Sequence, residues 1–139
     1  MPCHDITDTL KIRLDDQDRI IRYSLIKRSC GGAVGQKSLI IKWLQNRSAE
    51  EVLGLTAEAI LNAHPTRSHT WEYLLIKHFL AVQSGLAILL GRQSGSSSDS
   101  CTAEAIEYGP EGTTLTAHVR VDAMTDQIKA CQSCCGAKH

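Results

Sequence analysis

The chain has 139 residues, enough for one domain or one domain with an appendage. Fifteen basic residues balance fifteen acidic ones, with 22% charged, so no basic footprint points to nucleic acid. Aromatic content is 4%, with one Phe and two Trp, which leaves the core to Leu, Ile, Val and Ala.

The N-terminus reads Met1-Pro2-Cys3-His4-Asp5, without the basic and apolar regions of a secretory signal. No uninterrupted apolar run approaches a membrane span. The expectation is therefore a cytoplasmic protein with no membrane partner. Its six cysteines would then serve metal or redox chemistry rather than a disulfide framework.

Leu10, Ile12 and Leu14 alternate with Lys11 and Arg13, the pattern of a half-buried strand. Asp15-Asp16-Gln17-Asp18 is a solvated turn, and Ile21, Tyr23 and Leu25 resume strand spacing beyond it. The two strands make an antiparallel hairpin ending near Ser29. From Ala33 to Asn46 the pattern reads as helix, with Val34, Ile40, Ile41 and Leu44 on one face. Ser48-Ala49-Glu50-Glu51 opens a short helix as a capping box, and Gly54 ends it. Thr56 caps a third helix that runs to Ala63, and Pro65 breaks the chain.

The longest helical stretch runs from His69 to about Leu90. Leu74, Leu75, His78, Val82, Leu86 and Leu89 recur at three- and four-residue steps, with Gly91 as the stop. So apolar a helix must lie against the sheet, and His78 on that face reads as a satisfied buried histidine. Trp43 likewise reads as core. Gly95 to Ser100 has linker composition. Leu115, Ala117, Val119 and Val121 then alternate as a strand, and Asp122 to Asp126 is turn-like. The chain ends in Cys131-Gln132-Ser133-Cys134-Cys135-Gly136. The expected organisation is an α+β domain over 1–93, a Ser-rich linker over 94–101, and a hairpin-like appendage with a Cys-rich tail over 102–139. Its fold class is a small antiparallel sheet, the hairpin plus extra C-terminal strands, packed by several helices.

Soft and titratable ligands gather at Cys3-His4-Asp5, at Cys30, and at Arg67-Ser68-His69-Thr70. Cys30 in Ser29-Cys30-Gly31-Gly32-Ala33 stands where the strand pattern gives way to the expected helix. A helix N-terminus lowers a thiol's pKa, and a thiolate is the form that binds metal or attacks sulfur. In a hairpin the start of the first strand lies near the end of the second, so Cys3 and Cys30 are expected neighbours. Two thiolates with a carboxylate or imidazole suit zinc or iron–sulfur iron.

These residues also carry a resemblance. Residues 3–91 are similar to the iron–sulfur cluster scaffold family of IscU and the N-terminal domain of NifU. Cys3-His4-Asp5 resembles the family's Cys-Gly-Asp before a strand. Leu10 to Asp16 with Arg19-Ile20-Ile21 resembles its hairpin. Ser29-Cys30-Gly31-Gly32-Ala33-Val34 with Lys42-Trp43-Leu44 resembles its Gly-Cys-Gly stretch and Trp-containing helix. Asn46 to Val52 resembles the next helix, and Arg67-Ser68-His69-Thr70 falls where the family has Lys-x-His-Cys. The chain departs from the pattern as well. Thr70 replaces the third cysteine, His4 and Ser29 replace glycines, and the Leu-Pro-Pro-Val-Lys stretch read by the family's chaperone is reduced to Ala63-His64-Pro65-Thr66-Arg67.

The resemblance implies a non-enzymatic NifU/IscU-like scaffold or carrier. It would bind iron and a labile iron–sulfur cluster through Cys3, Asp5, Cys30 and His69. Its partners would be a cysteine desulfurase and recipient apo-proteins, while the reduced chaperone stretch argues against chaperone-assisted transfer. Cys131, Cys134 and Cys135 are candidate replacements for the thiol that Thr70 withdraws. The alternative is a degenerate member without a cluster, a zinc-binding or protein-binding accessory module using the same Cys3, Asp5, Cys30 and His69. A further alternative is sulfur relay, in which Cys30 carries a persulfide to a tail cysteine.

Overall fold

The computed structural model describes residues 7–29, 32–34, 38–92, 101–120 and 128, with only the backbone described at 7, 27–29 and 32–34. Five antiparallel strands form one sheet in the order β3-β2-β1-β5-β4. The strands are β1 (Thr7–Leu14), β2 (Ile20–Ser29), β3 (Gly32–Val34), β4 (Cys101–Gly109) and β5 (Gly112–Arg120). Four helices follow β3: α1 (Ile41–Leu44), α2 (Ala49–Leu53), α3 (Ala57–Ala63) and α4 (His69–Leu89). The chain is thus α+β, with a small antiparallel sheet and helices.

Alternation decides which face of the sheet is dry. Leu10, Ile12 and Leu14 of β1 stand opposite Leu25, Tyr23 and Ile20 of β2, and opposite Ala117, Leu115 and Thr113 of β5. All of these but Thr113 are buried at 2% exposure or less, and the residues between them point to the other face. The turn joining β1 to β2 is built by Asp15. Its Oδ1 accepts the N–H groups of Gln17 and Arg19 at 2.9 Å each, and its Oδ2 meets Arg19 Nε at 3.0 Å. The Arg19 N–H above all holds this carboxyl below the usual carboxylate value. Asp18 takes φ 60, a conformation that Asp tolerates through local hydrogen bonding.

The expected helix from Ala33 is corrected. Residues 32–34 form β3, paired with β2 through Lys27↔Val34, Arg28↔Ala33 and Ser29↔Gly32. Backbone pairing along the end of β2 outweighs a helical spacing that rested on Val34 alone before Ile40. The helix shrinks to Ile41–Leu44 because its two ends are fixed from outside. Tyr23 Oη accepts the Ile40 N–H at 2.8 Å, and Asn46 turns the chain with φ 70 while its N–H donates to the Ile20 carbonyl at 2.9 Å.

The remaining helices follow their capping chemistry. Ser48 accepts from the Glu51 N–H, Thr56 from the Ala59 N–H and Ser68 from the Trp71 N–H, each a side chain satisfying a donor left open by the helix start. Gly54 is the C-cap of α2.

By length and composition alone, α4 would pass for a membrane span, yet 67% of that window is buried inside the fold. It crosses the dry face of the sheet. Gly85 makes this possible, because a Cβ there would come 2.7 Å from Ile12 Cδ1 and 2.8 Å from Leu10 Cδ2. Gln83 Nε2 donates to the carbonyls of Val52 and Leu55 at 3.0 Å, fastening the α2–α3 junction to α4.

The C-terminal hairpin enters the same sheet. β5 pairs with β1 along its whole length, from Thr7↔Arg120 to Leu14↔Thr113, and Cys101 at the start of β4 is buried in the core. Gly112 at its turn has φ 137, and a Cβ there would stand 1.9 Å from the Leu14 carbonyl oxygen, so only glycine fits.

Candidate functional site

β1 begins and β2 ends at the same end of the sheet, where Asp8 lies opposite Lys27 on one side and Val119 on the other. Asp8 continues the inward phase of Leu10, Ile12 and Leu14 and is 1% exposed. A bare carboxylate at such a position would be costly. Lys77 of α4 answers it, with Nζ 2.7 Å from Asp8 Oδ2 and only a tenth of its side chain exposed. Asp8 Oδ1 has no hydrogen-bond partner among the described residues.

The helix that supplies Lys77 crosses the sheet from the β2 side. His78 meets Tyr23 of β2, while Gly85 lies over Leu10 and Ile12 of β1 and Leu115 of β5. The amino end of α4 therefore lies on the β2 side of the sheet. His69, its first residue, stands eight residues before Lys77, about 12 Å along the helix axis. Its side chain is 80% exposed, and its Nδ1 is 3.5 Å from Glu72 Oε1. Ser68 caps this end, and Thr66 Oγ1 accepts the Ser68 N–H at 3.1 Å, so the chain into His69 is held by local hydrogen bonds. Thr70 is exposed beside it.

Of the ligands expected from the sequence, His69 is described, and it is exposed at a helix start. Cys3, Asp5, Cys30 and the tail cysteines Cys131, Cys134 and Cys135 lie outside the described residues. The reason given for an acidified Cys30 thiol is corrected: the residues after it continue as a strand, so no helix N-terminus follows at Ala33. Among the described residues, no group of three or more His, Cys, Asp and Glu side chains could hold a metal ion.

Two buried polar pairs escaped the sequence reading in whole or part. Lys77 and Asp8 each break an apolar pattern, Lys77 between Ile76 and His78 and Asp8 at the head of an alternating strand. Those two interruptions were the available signal. His78 was expected to be buried and satisfied, and it is 3% exposed. Its partner is Tyr23, whose Oη is 2.8 Å from His78 Nδ1. The same Tyr23 oxygen accepts the Ile40 N–H, so the phenol is hydrogen-bonded to both the His78 ring and the backbone before α1. Burial, reinforced by the neighbouring Lys77 charge, pushes His78 down to about 4. Burial pushes the Tyr23 phenol up, against the opposing effect of the Ile40 N–H.

No family model matches the sequence, and no curated protein or solved structure matches it.

Proposed function

We propose that this protein is an iron–sulfur cluster scaffold or carrier, taking up iron and sulfide, holding a labile cluster as cargo and releasing it to apo-proteins. Cys3, Asp5, Cys30 and His69 are its proposed ligands. A cysteine desulfurase is the proposed sulfur donor, and no bond-making catalyst is required of the protein itself. The observation that carries the reading is one of chain direction. The strand leading back to Cys3 and Asp5 and the strand leading on to Cys30 share one end of the sheet, through Asp8↔Lys27. The helix opened by His69 starts on the β2 side of that sheet.

The donor set explains the lability. Two thiolates, one carboxylate and one imidazole bind iron more weakly than four thiolates, and the exposed Thr70 adds no soft donor. The same set is a sound tetrahedral site for zinc. Thr70 is the observation that favours this second reading, in which the protein is a zinc-binding or protein-binding accessory module.

Anaerobic purification followed by iron, zinc and acid-labile sulfide analysis separates the two. Brown protein with iron and sulfide in comparable amounts is expected. Colourless protein carrying zinc, and unable to take up iron and sulfide on reconstitution, overturns the scaffold reading.

A further inference from the structure

We propose that the polar face of the sheet is a self-association surface, binding a second copy of this chain about a two-fold axis that runs along the strands between β1 and β5. α4 packs on the opposite, apolar face with α2 and α3 against it, and among the described residues no element covers the polar face.

The register distributes charge across this face unevenly. One row runs Arg22 on β2, Arg13 on β1, Thr114 on β5 and Glu107 on β4. Positive charge therefore lies on the β2–β1 half and negative charge on the β4 half. Some of it is neutralised within the chain. Arg13 Nη2 is 3.3 Å from Glu111 Oε2, and His118 Nε2 is 2.9 Å from Glu104 Oε2. Arg22 and Glu107 are exposed and make no ion pair among the described residues. Arg22 also stands directly opposite Arg13, a like-charge cross-strand pair that costs stability in an isolated sheet.

A two-fold axis along the strands turns this arrangement onto itself. It lays β2 over the second copy's β4 and β1 over its β5, keeping each row at its own height. Arg22 of one copy then faces Glu107 of the other, twice by symmetry, as an isologous interface requires. Stacked sheets lie about 10 Å apart, a gap that an Arg and a Glu bridge together. The Thr-rich centre offers flat polar contact rather than an apolar lock. Four strands of this length present roughly 500 Å² per face, so the pair buries on the order of 1,000 Å², the range of weak, reversible association.

The test is sedimentation of the full chain, with a chelator and a reductant present so that neither metal nor disulfide joins copies. At about 50 mM salt the mass rises with concentration toward that of two chains, and at about 500 mM the association weakens at least tenfold. Arg22→Glu and Glu107→Arg each weaken it about tenfold, because each puts like charges face to face twice. The double variant restores it. A chain that stays monomeric at low salt overturns the proposal, as do single variants without effect or a double variant worse than either. Should a single variant fold poorly by circular dichroism, the salt response of the unaltered chain and the charge-swapped double decide alone.

Discussion

The Tyr23 hydroxyl lies 2.8 Å from His78 Nδ1 and receives the Ile40 N–H at 2.8 Å, so one buried oxygen joins a central strand, the turn before α1 and the long helix. Tyr23→Phe keeps the ring and deletes only that oxygen. It leaves a buried ring nitrogen and a buried N–H without partners, each costing about 1–3 kcal/mol. We expect urea unfolding to show a loss of about 2–4 kcal/mol, with an unchanged denaturant slope.

His78 makes stability depend on pH. Its folded value of about 4 lies below the ordinary imidazole value of 6.5, so the unfolded chain binds the proton more readily. Stability is complete above about pH 6.5 and falls as pH drops toward 4, by on the order of 3 kcal/mol in total. His78→Gln should flatten this segment of the stability–pH curve. A curve that keeps its slope in the variant would assign the effect to other groups.

Asp8 and Lys77 form a buried pair at 2.7 Å. Lys77→Met strands the carboxylate, and Asp8→Asn strands the ammonium. Each should cost about 3–5 kcal/mol. The double variant should cost far less than the sum, since it removes both charges. Chemical denaturation of all four chains gives the coupling directly, and additive losses would contradict a true pair.

At Gly85 two tendencies compete. Alanine is the better helix former by about 1 kcal/mol, but its Cβ would press on Ile12 and Leu10 at under 3.0 Å. Displacing packed core side chains costs about 1–3 kcal/mol, so Gly85→Ala should lower the melting temperature and Gly85→Val should lower it further.

The proposed cluster site has its own signature. His69 is exposed, so His69→Ala should leave the melting temperature within about 1 °C while reducing iron and sulfide retained after desalting several-fold. Thr70→Cys supplies a third thiol beside it and should slow cluster transfer to an apo-ferredoxin acceptor. Retention and transfer unaltered in both variants would remove the start of α4 from the site.

Much of the fold was legible because it rests on local rules. Alternation at Leu10, Ile12 and Leu14, the caps at Ser48 and Thr56, and the helix from His69 all recur in the structure. Where the sequence misled, a distant partner was responsible. Nothing near Val34 announces that β2 will recruit it into a strand, nor that Tyr23 will take the Ile40 N–H and shorten α1. Register between remote strands is equally silent, so the alternation of Leu115, Ala117 and Val119 gave a strand without its neighbour. For the site, the sequence offered residue types and order. The pairing of Lys77 with Asp8 needed the helix and the sheet together, because the two are joined only through space.

The pairing of β5 with β1 has a consequence for biosynthesis. Leu10 meets Ala117 across more than a hundred residues, so the emerging polypeptide must hold its first strand half-complemented while almost everything else is translated. Through that interval one flank of β1 is an open template, vulnerable to pairing with strangers. A nascent chain stalled after Arg92 should aggregate or recruit holdase chaperones, and supplying residues 101–120 as a separate peptide should quiet it.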